Sequence, residues 1–159
     1  MLMLLFHAGE NLYALDSSQV VEVIPMVVLR KIHHLPDYVA GFFNYHGTIV
    51  PVIDLCYLIQ GTTCRPRFST RIIMVNYTAK DGGHRRLGLM AERVTETLNR
   101  PDLDPKTALP VNDVPYLGEM FMDELGMIQR FHWEHLITEV QHVSLLAGGN
   151  IHTNGASSN

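Results

Sequence analysis

Cysteine is nearly absent from this chain. Only Cys56 and Cys64 occur among 159 residues, too few for a disulfide framework. Each reads as a free thiol in a reducing compartment, with a spacing that leaves a local bridge open. Long apolar runs are also missing. The opening Met1-Leu2-Met3-Leu4-Leu5-Phe6 has no basic flank and meets His7-Ala8-Gly9-Glu10 at once, so it reads as a first strand and not a signal peptide. No stretch approaches the roughly 20 apolar residues that a membrane-crossing helix needs, so direct membrane insertion is not expected and the cytoplasm is the expected location. Positive charge is scarce. Twelve Lys and Arg against 16 Asp and Glu give a net charge of −4, which argues against nucleic acid as a partner. A nucleophile elbow, a P-loop, a dinucleotide fingerprint and the His-Glu-x-x-His order are all lacking, so no enzymatic activity and no cofactor are expected.

What is present describes one domain. The chain is 47% hydrophobic and 18% charged, and at 159 residues it can bury about two thirds of its unfolded surface without staples. Glycine turns at Gly9 and at Gly82-Gly83 separate short apolar runs, predicting strands at Met3 to His7, Tyr13 to Leu15, Ile72 to Tyr77 and Leu87 to Met90. Asp16 followed three residues later by Gln19 reads as a capping box for a helix that includes Gln19 to Ile24, which Pro25 halts. Val27 to Ile32 and Met127 to Phe131 read as strands, His132 to Ile137 as a short terminal helix, and Arg100 to Pro110 as a loop. The fold class is all-β with short helices.

The chain also resembles itself. Leu15, Val20, Glu22 and Ile24 recur as Leu89, Val94, Glu96 and Leu98 at one constant offset, and Gly41 through Leu58-Ile59 is echoed by Gly118 through Leu136-Ile137. Two similar halves, about 1–68 and 69–145, are expected. Residues 146–159 are small and polar and are expected to be a disordered tail.

Nine histidines raise a metal hypothesis, strongest at His132 and His135, which share a helical face at i and i+3. No third ligand is specified there, so no metal site is expected. Glu22 and Asp54 are carboxylates that nothing in the sequence brings together. Asp54 follows an apolar run and needs backbone donors, because an unpaired buried carboxylate is costly. Met120, Met122 and Met127 read as core filler.

The densest pattern is Leu35-Pro36-Asp37-Tyr38-Val39-Ala40-Gly41-Phe42-Phe43-Asn44-Tyr45-His46-Gly47-Thr48-Ile49-Val50-Pro51-Val52-Ile53-Asp54-Leu55. Pro36 suits the first position of a short helix that Gly41 would end. Gly47 can supply positive φ for a tight connection, and Thr48 to Leu55 is a β-branched run expected to be buried on both faces, with Pro51 at an edge or bulge. This stretch resembles the signature of CheW-like coupling domains: proline, short helix, glycine, Asn-x-Arg-Gly, then an apolar strand ending Pro-Val-Ile-Asp-Leu. Every element is present except the arginine, which is His46 here.

The resemblance spans about Leu4 to Ile137 and implies two small five-stranded barrels, SH3-like or OB-like, around a shared hydrophobic core. It implies an adaptor that joins the cytoplasmic tip of methyl-accepting chemoreceptors to the regulatory domain of a CheA-type histidine kinase. Partner-contact roles carry over to Val20 and Glu22 on the first helix, to Gly41, to Asn44, His46 and Gly47 in the turn, and to Thr97 on a helix and loop beside the receptor groove. Tyr13-Ala14-Leu15-Asp16, Arg86-Leu87-Gly88-Leu89 and Pro115-Tyr116-Leu117-Gly118 are similar to the coupling proteins of surface-sensing, Wsp-type arrays. With histidine in place of a permanently charged five-donor arginine, a partner other than the main motility array is expected. The competing reading is a small β-barrel that binds a ligand or metal.

Overall fold

The computed structural model describes residues 1–99 and 113–137. The expected loop from Arg100 to Pro110 and the expected tail at 146–159 lie outside the described residues. Nine strands are seen among the described residues: β1 (Leu2–Ala8), β2 (Asn11–Asp16), β3 (Val20–Pro25), β4 (Val39–Tyr45), β5 (Thr48–Asp54), β6 (Arg71–Thr78), β7 (His84–Asn99), β8 (Leu117–Asp123) and β9 (Gly126–Phe131). A single α-helix is described, α1 (Leu55–Gln60), with short 3-10 turns at Ser17–Gln19 and Trp133–Leu136.

The strands fall into two five-stranded sets that share β7. One runs β3-β6-β7-β5-β4, and the other runs β7-β1-β2-β9-β8. Most pairs are antiparallel; β5 with β7 and β2 with β9 are parallel. The first set is drawn from one continuous stretch of chain, whereas the second combines β1 and β2 with β7, β8 and β9. The sets do not coincide with 1–68 and 69–145; of one repeated pair, Glu22 stands on β3 and Glu96 on the outer half of β7. Each stretch also ends in a hairpin followed by a helical turn, β4-β5-α1 and β8-β9 with Trp133–Leu136.

Burial follows from this arrangement. Leu87 through Glu92 are buried without alternation, because this part of β7 has a strand on either side and is covered on both faces. Beyond it Arg93 takes φ 50°, and the β1–β7 register shifts between Leu5 and His7 as β7 turns toward β1. One continuous core joins Phe6, Leu15 and Phe131 to Ile72, Ile73 and Leu89, so the two sets share their apolar interior.

Three local expectations are corrected. Asp16 caps only the 3-10 turn, accepting from the Ser18 amide at 2.9 Å, and Val20–Pro25 is an edge strand rather than a helix. Four of those six residues are Val or Ile, and pairing of Val23 with Ile73 suits such branched side chains better than a helical turn would. Val27 to Ile32 forms no strand beyond a single bridge from Arg30 to Phe42, and Val28 is 95% exposed. Pro36 begins a turn, not a helix; its carbonyl accepts from the Val39 amide at 3.0 Å and β4 starts there. The strand from Thr48 is as expected but buried only from Val50 onward, because its β7 neighbour begins at Val52. Pro51, facing Phe42 on β4, sits just before that second pairing and forfeits no ladder bond to β7.

At the bend of β7, Glu92 is 2% exposed and is held by Arg65, through its backbone amide at 2.6 Å and its guanidinium at 2.9 Å. Burial pushes the Glu92 carboxyl up, but the Arg65 hydrogen bonds and charge outweigh it and hold the group below its ordinary value of 4.5. Its contribution to stability is therefore present above the unfolded-state value and is lost as pH falls through the lower folded value. Glu92→Gln is expected to flatten the acid limb of the stability curve, measured as urea midpoints between about pH 3 and 6.

Candidate partner-binding surface

Val39 to Ile53 makes a two-residue hairpin. Tyr45 pairs with Thr48, leaving His46 (φ 52°) and Gly47 (φ 87°) as the two central residues, the signature of a type I′ turn. Asn44 Oδ1 accepts from the Gly47 amide at 2.8 Å and holds the turn. The spacing Asn-x-x-Gly is thus a conformational requirement, and a non-glycine residue at 46 must tolerate the left-handed region, which histidine does more readily than branched residues.

The hairpin tip lies against β3. Tyr45 Oη donates to Glu22 Oε1, and His46 Nε2 lies 3.9 Å from the same oxygen. Arg86 sits over the Tyr45 ring at 5.5 Å, and the His46 ring lies 4.3 Å from it at a steep angle. The hydrogen bond to Glu22 is the main cause, followed by burial, of the Tyr45 hydroxyl being held above its ordinary value. Glu22 and His46 keep 44% and 75% of their side chains exposed, so their attraction is screened by water and the pair is available to a partner. The same strands also expose apolar side chains, Val21 of β3 at 40% and Ile49 of β5 at 70%, the latter on the hairpin face that carries Asn44. Among the described residues β3 pairs only with β6, which leaves its other edge as a place for strand or loop docking.

The sequence-derived site residues thus divide. Val20, Glu22, Asn44, His46 and Gly47 gather on β3 and the β4–β5 tip, with Val20 half-buried. Gly41 is buried inside β4 at φ 150°, where an added Cβ would meet the Arg30 carbonyl oxygen and the Leu29 Cβ, each at 2.8 Å. Gly41→Ala is accordingly expected to cost about 1–3 kcal/mol in denaturant unfolding, by forcing the 29–30 segment off β4. Thr97 lies apart, exposed on the strand β7 opposite Leu4, and not on a helix. Nearby, a cleft of about 410 Å³ is lined by His7, Arg93, Thr95, Glu96 and Leu125.

Asp54 is 2% exposed at the end of β5 and accepts from the Tyr57 and Cys64 amides at 3.0 and 3.1 Å, the donors its burial demands. His132 and His135 stand edge to face with ring centroids 5.9 Å apart; His132 Nε2 faces Glu119 at 3.3 Å and its Nδ1 faces Glu134 at 3.5 Å. Sequence reasoning missed the apolar tip of the second hairpin. Met122, Leu125 and Met127 are 64%, 51% and 62% exposed, so two of the three methionines read as core filler are on the surface. Their alternation with buried Phe121 and Ile128 was the available signal.

Comparison with known proteins follows the same lines. The chemotaxis protein CheW of Klebsiella aerogenes is 28% identical over 96 residues, 60% of this chain and 55% of that protein. The CheW of Helicobacter pylori is 24% identical over 102 residues, 63% of this chain and 59% of that protein. The chain therefore spans little more than half the length of these curated relatives. The crystal structure of the scaffolding protein TtCheW from Thermoanaerobacter tengcongensis superposes with a TM-score of 0.66 at 26% identity, covering 83% of this chain and 85% of that one. The CheW-like domain family matches residues 2–141, and the chain belongs to that family.

Proposed function

We propose that this chain is a non-catalytic adaptor that couples methyl-accepting chemoreceptors to a CheA-type histidine kinase in a bacterial signalling array. The observation that carries the reading is the β3 and β4–β5 surface, where Glu22, Tyr45 and His46 form a polar cluster on strands that also expose Val21 and Ile49 and leave a strand edge open. A surface of this kind suits a barrel-like regulatory domain better than a small molecule: it is open, it mixes apolar and charged groups, and it presents backbone for pairing. Relatives named as chemotaxis and scaffolding proteins support the same reading. Val20, Glu22, Asn44, His46 and Gly47 face the kinase domain, Gly41 holds that surface in shape, and Thr97 and its surroundings face the receptor tip. No cofactor is required. The protein works in the cytoplasm, held at the membrane only through receptors; no helix among the described residues is long and apolar enough to cross a bilayer.

His46 sets the finer assignment. It presents a shorter and titratable group where family members carry arginine, which favours a partner in an alternative, surface-sensing array. Calorimetric titration with the regulatory domain of the kinase encoded beside this chain is expected to give saturable, micromolar-range binding. Absence of binding to that domain and to a receptor tip peptide would leave only the fold in common with the family.

A further inference from the structure

Asp54, Cys56 and Cys64 form a buried cluster at the far end of β5 from the hairpin tip, with their ligand-capable atoms within 4.8 Å of one another. The local sequence explains the meeting. Asp54 caps α1 through the Tyr57 amide, Gly61 ends the helix in the left-handed region at φ 80°, and the chain doubles back so that the Cys64 amide reaches Asp54 Oδ2 at 3.1 Å. Cys64 is thereby laid over the first turn of α1, where Cys56 sits. Its sulfur lies 2.7 Å from Cys56 Sγ, 3.1 Å from Asp54 Oδ1 and 3.5 Å from the Met90 carbonyl oxygen. Cys56 is completely buried, its sulfur 3.9 Å from the His7 carbonyl oxygen, and Cys64 is 7% exposed.

Two unlinked sulfurs this close are already well inside the separation of a thiolate pair on a tetrahedral metal, and approach the roughly 2.05 Å of a bond. The geometry points to a dithiol that closes to a Cys56–Cys64 disulfide, a covalent modification site separate from the partner-binding surface and independent of the adaptor reading. The oxidant it admits is a small one, a peroxide, because Cys64 alone reaches the surface and a bulky disulfide reagent has no entry. The Cys64 sulfur attacks one peroxide oxygen and the O–O bond breaks. Cys64 becomes a sulfenic acid, and the leaving hydroxide takes the thiol proton as water. The Cys56 sulfur then attacks the Cys64 sulfur, the S–S bond forms, the S–O bond breaks, and a second water leaves with the Cys56 proton. Two thiols lose two protons and two electrons, and the peroxide becomes two waters.

Asp54 shapes the rate. The contact with Cys56, then burial, then the Asp54 carboxylate keep the Cys64 thiol protonated far above its ordinary range, so the first step is slow at neutral pH and the second, between neighbours already in contact, is fast. The sulfenic acid is therefore not expected to accumulate.

The test uses the full reduced chain, folded, treated with hydrogen peroxide, then denatured in acid, alkylated and peptide-mapped. The expected result is joint loss of alkylation at both cysteines, a linked peptide containing Cys56 and Cys64, and full recovery with a thiol reductant. Cys56→Ser, checked for retained thermal unfolding, should convert Cys64 to sulfenic or sulfinic acid without any internal link, whereas Cys64→Ser, checked in the same way, should leave the completely buried Cys56 alkylatable. Three results would overturn the proposal: both thiols staying fully alkylatable after prolonged oxidation, oxygen acids in the wild-type chain with no linked peptide, or stoichiometric zinc in the purified protein protecting both thiols, which would make the cluster a metal site.

Discussion

Phe6→Ala is expected to destabilise the chain by about 3–5 kcal/mol, seen as a fall in the urea midpoint at nearly unchanged slope. Phe6 is fully buried on β1, stacks on Tyr13 of β2 with ring centroids 5.4 Å apart, and meets the edge of Phe131 on β9 at 5.7 Å. These three rings fasten β1 and β2 to β9. Removing the central one forfeits its apolar burial and leaves a cavity that strands paired on both sides cannot close. Against a typical stability of about 5–15 kcal/mol, the loss is enough to populate unfolded chain at moderate temperature. Phe6→Leu, which keeps most of the volume, should cost under about 1.5 kcal/mol. Equal effects from the two substitutions would mean that ring contacts, not volume, hold this junction.

Glu22→Lys is expected to weaken binding of the kinase regulatory domain by at least about tenfold, which corresponds to about 1.4 kcal/mol. The substitution places an ammonium beside His46 and near Arg86, turning a mixed patch into a cationic one. It also removes the acceptor of the Tyr45 hydroxyl, so stability should fall by about 1 kcal/mol, a larger effect than an isolated surface charge would give. Glu22→Gln separates the two roles: it keeps an acceptor for Tyr45 and loses only the charge. Weakened binding by Glu22→Gln with unchanged unfolding would assign the effect to electrostatics at the interface. If Glu22→Lys bound as well as the unaltered chain, the β3 surface would not be the kinase contact.

The strand content was legible because alternation and glycine turns carry it directly. Gly9 and Gly82 take φ 63° and 82° where the turns were expected, and β1, β2, β6 and β9 fall where the apolar runs lie. The segment after Asp16 was misread for a physical reason. A cap followed by Gln three residues on is a helix-start pattern, but it acts only over its own turn, and the branched residues from Val20 onward gain more from pairing with β6. Val27 to Ile32 erred the other way. Its apolar residues look like a strand, yet no neighbour is offered beyond one bridge at Arg30.

For the candidate surface, local turn chemistry was readable and distance was not. Asn44, His46 and Gly47 belong to one hairpin and could be grouped from spacing alone. Their meeting with Glu22 depends on β3 and β4 closing around the same core, which nothing local encodes. The Cys56–Cys64 contact lies between these cases: the spacing allowed a bridge, but only the return of the chain over α1 sets the sulfurs face to face.

The sharing of β7 also fixes an order of assembly. The set built on β3 to β7 comes from one uninterrupted stretch and can form as soon as that stretch is synthesised. In the other set β1 finds its partners in β2 and β7, but the far edge of β2 waits for β9, because Leu12 pairs with Ile128, across almost the whole described chain. Closing so long a loop is slow, and until it closes β2 remains without its parallel neighbour. The free edge of β2 is therefore the last to be covered, and the period of greatest exposure to aggregation belongs to the β1–β2 hairpin.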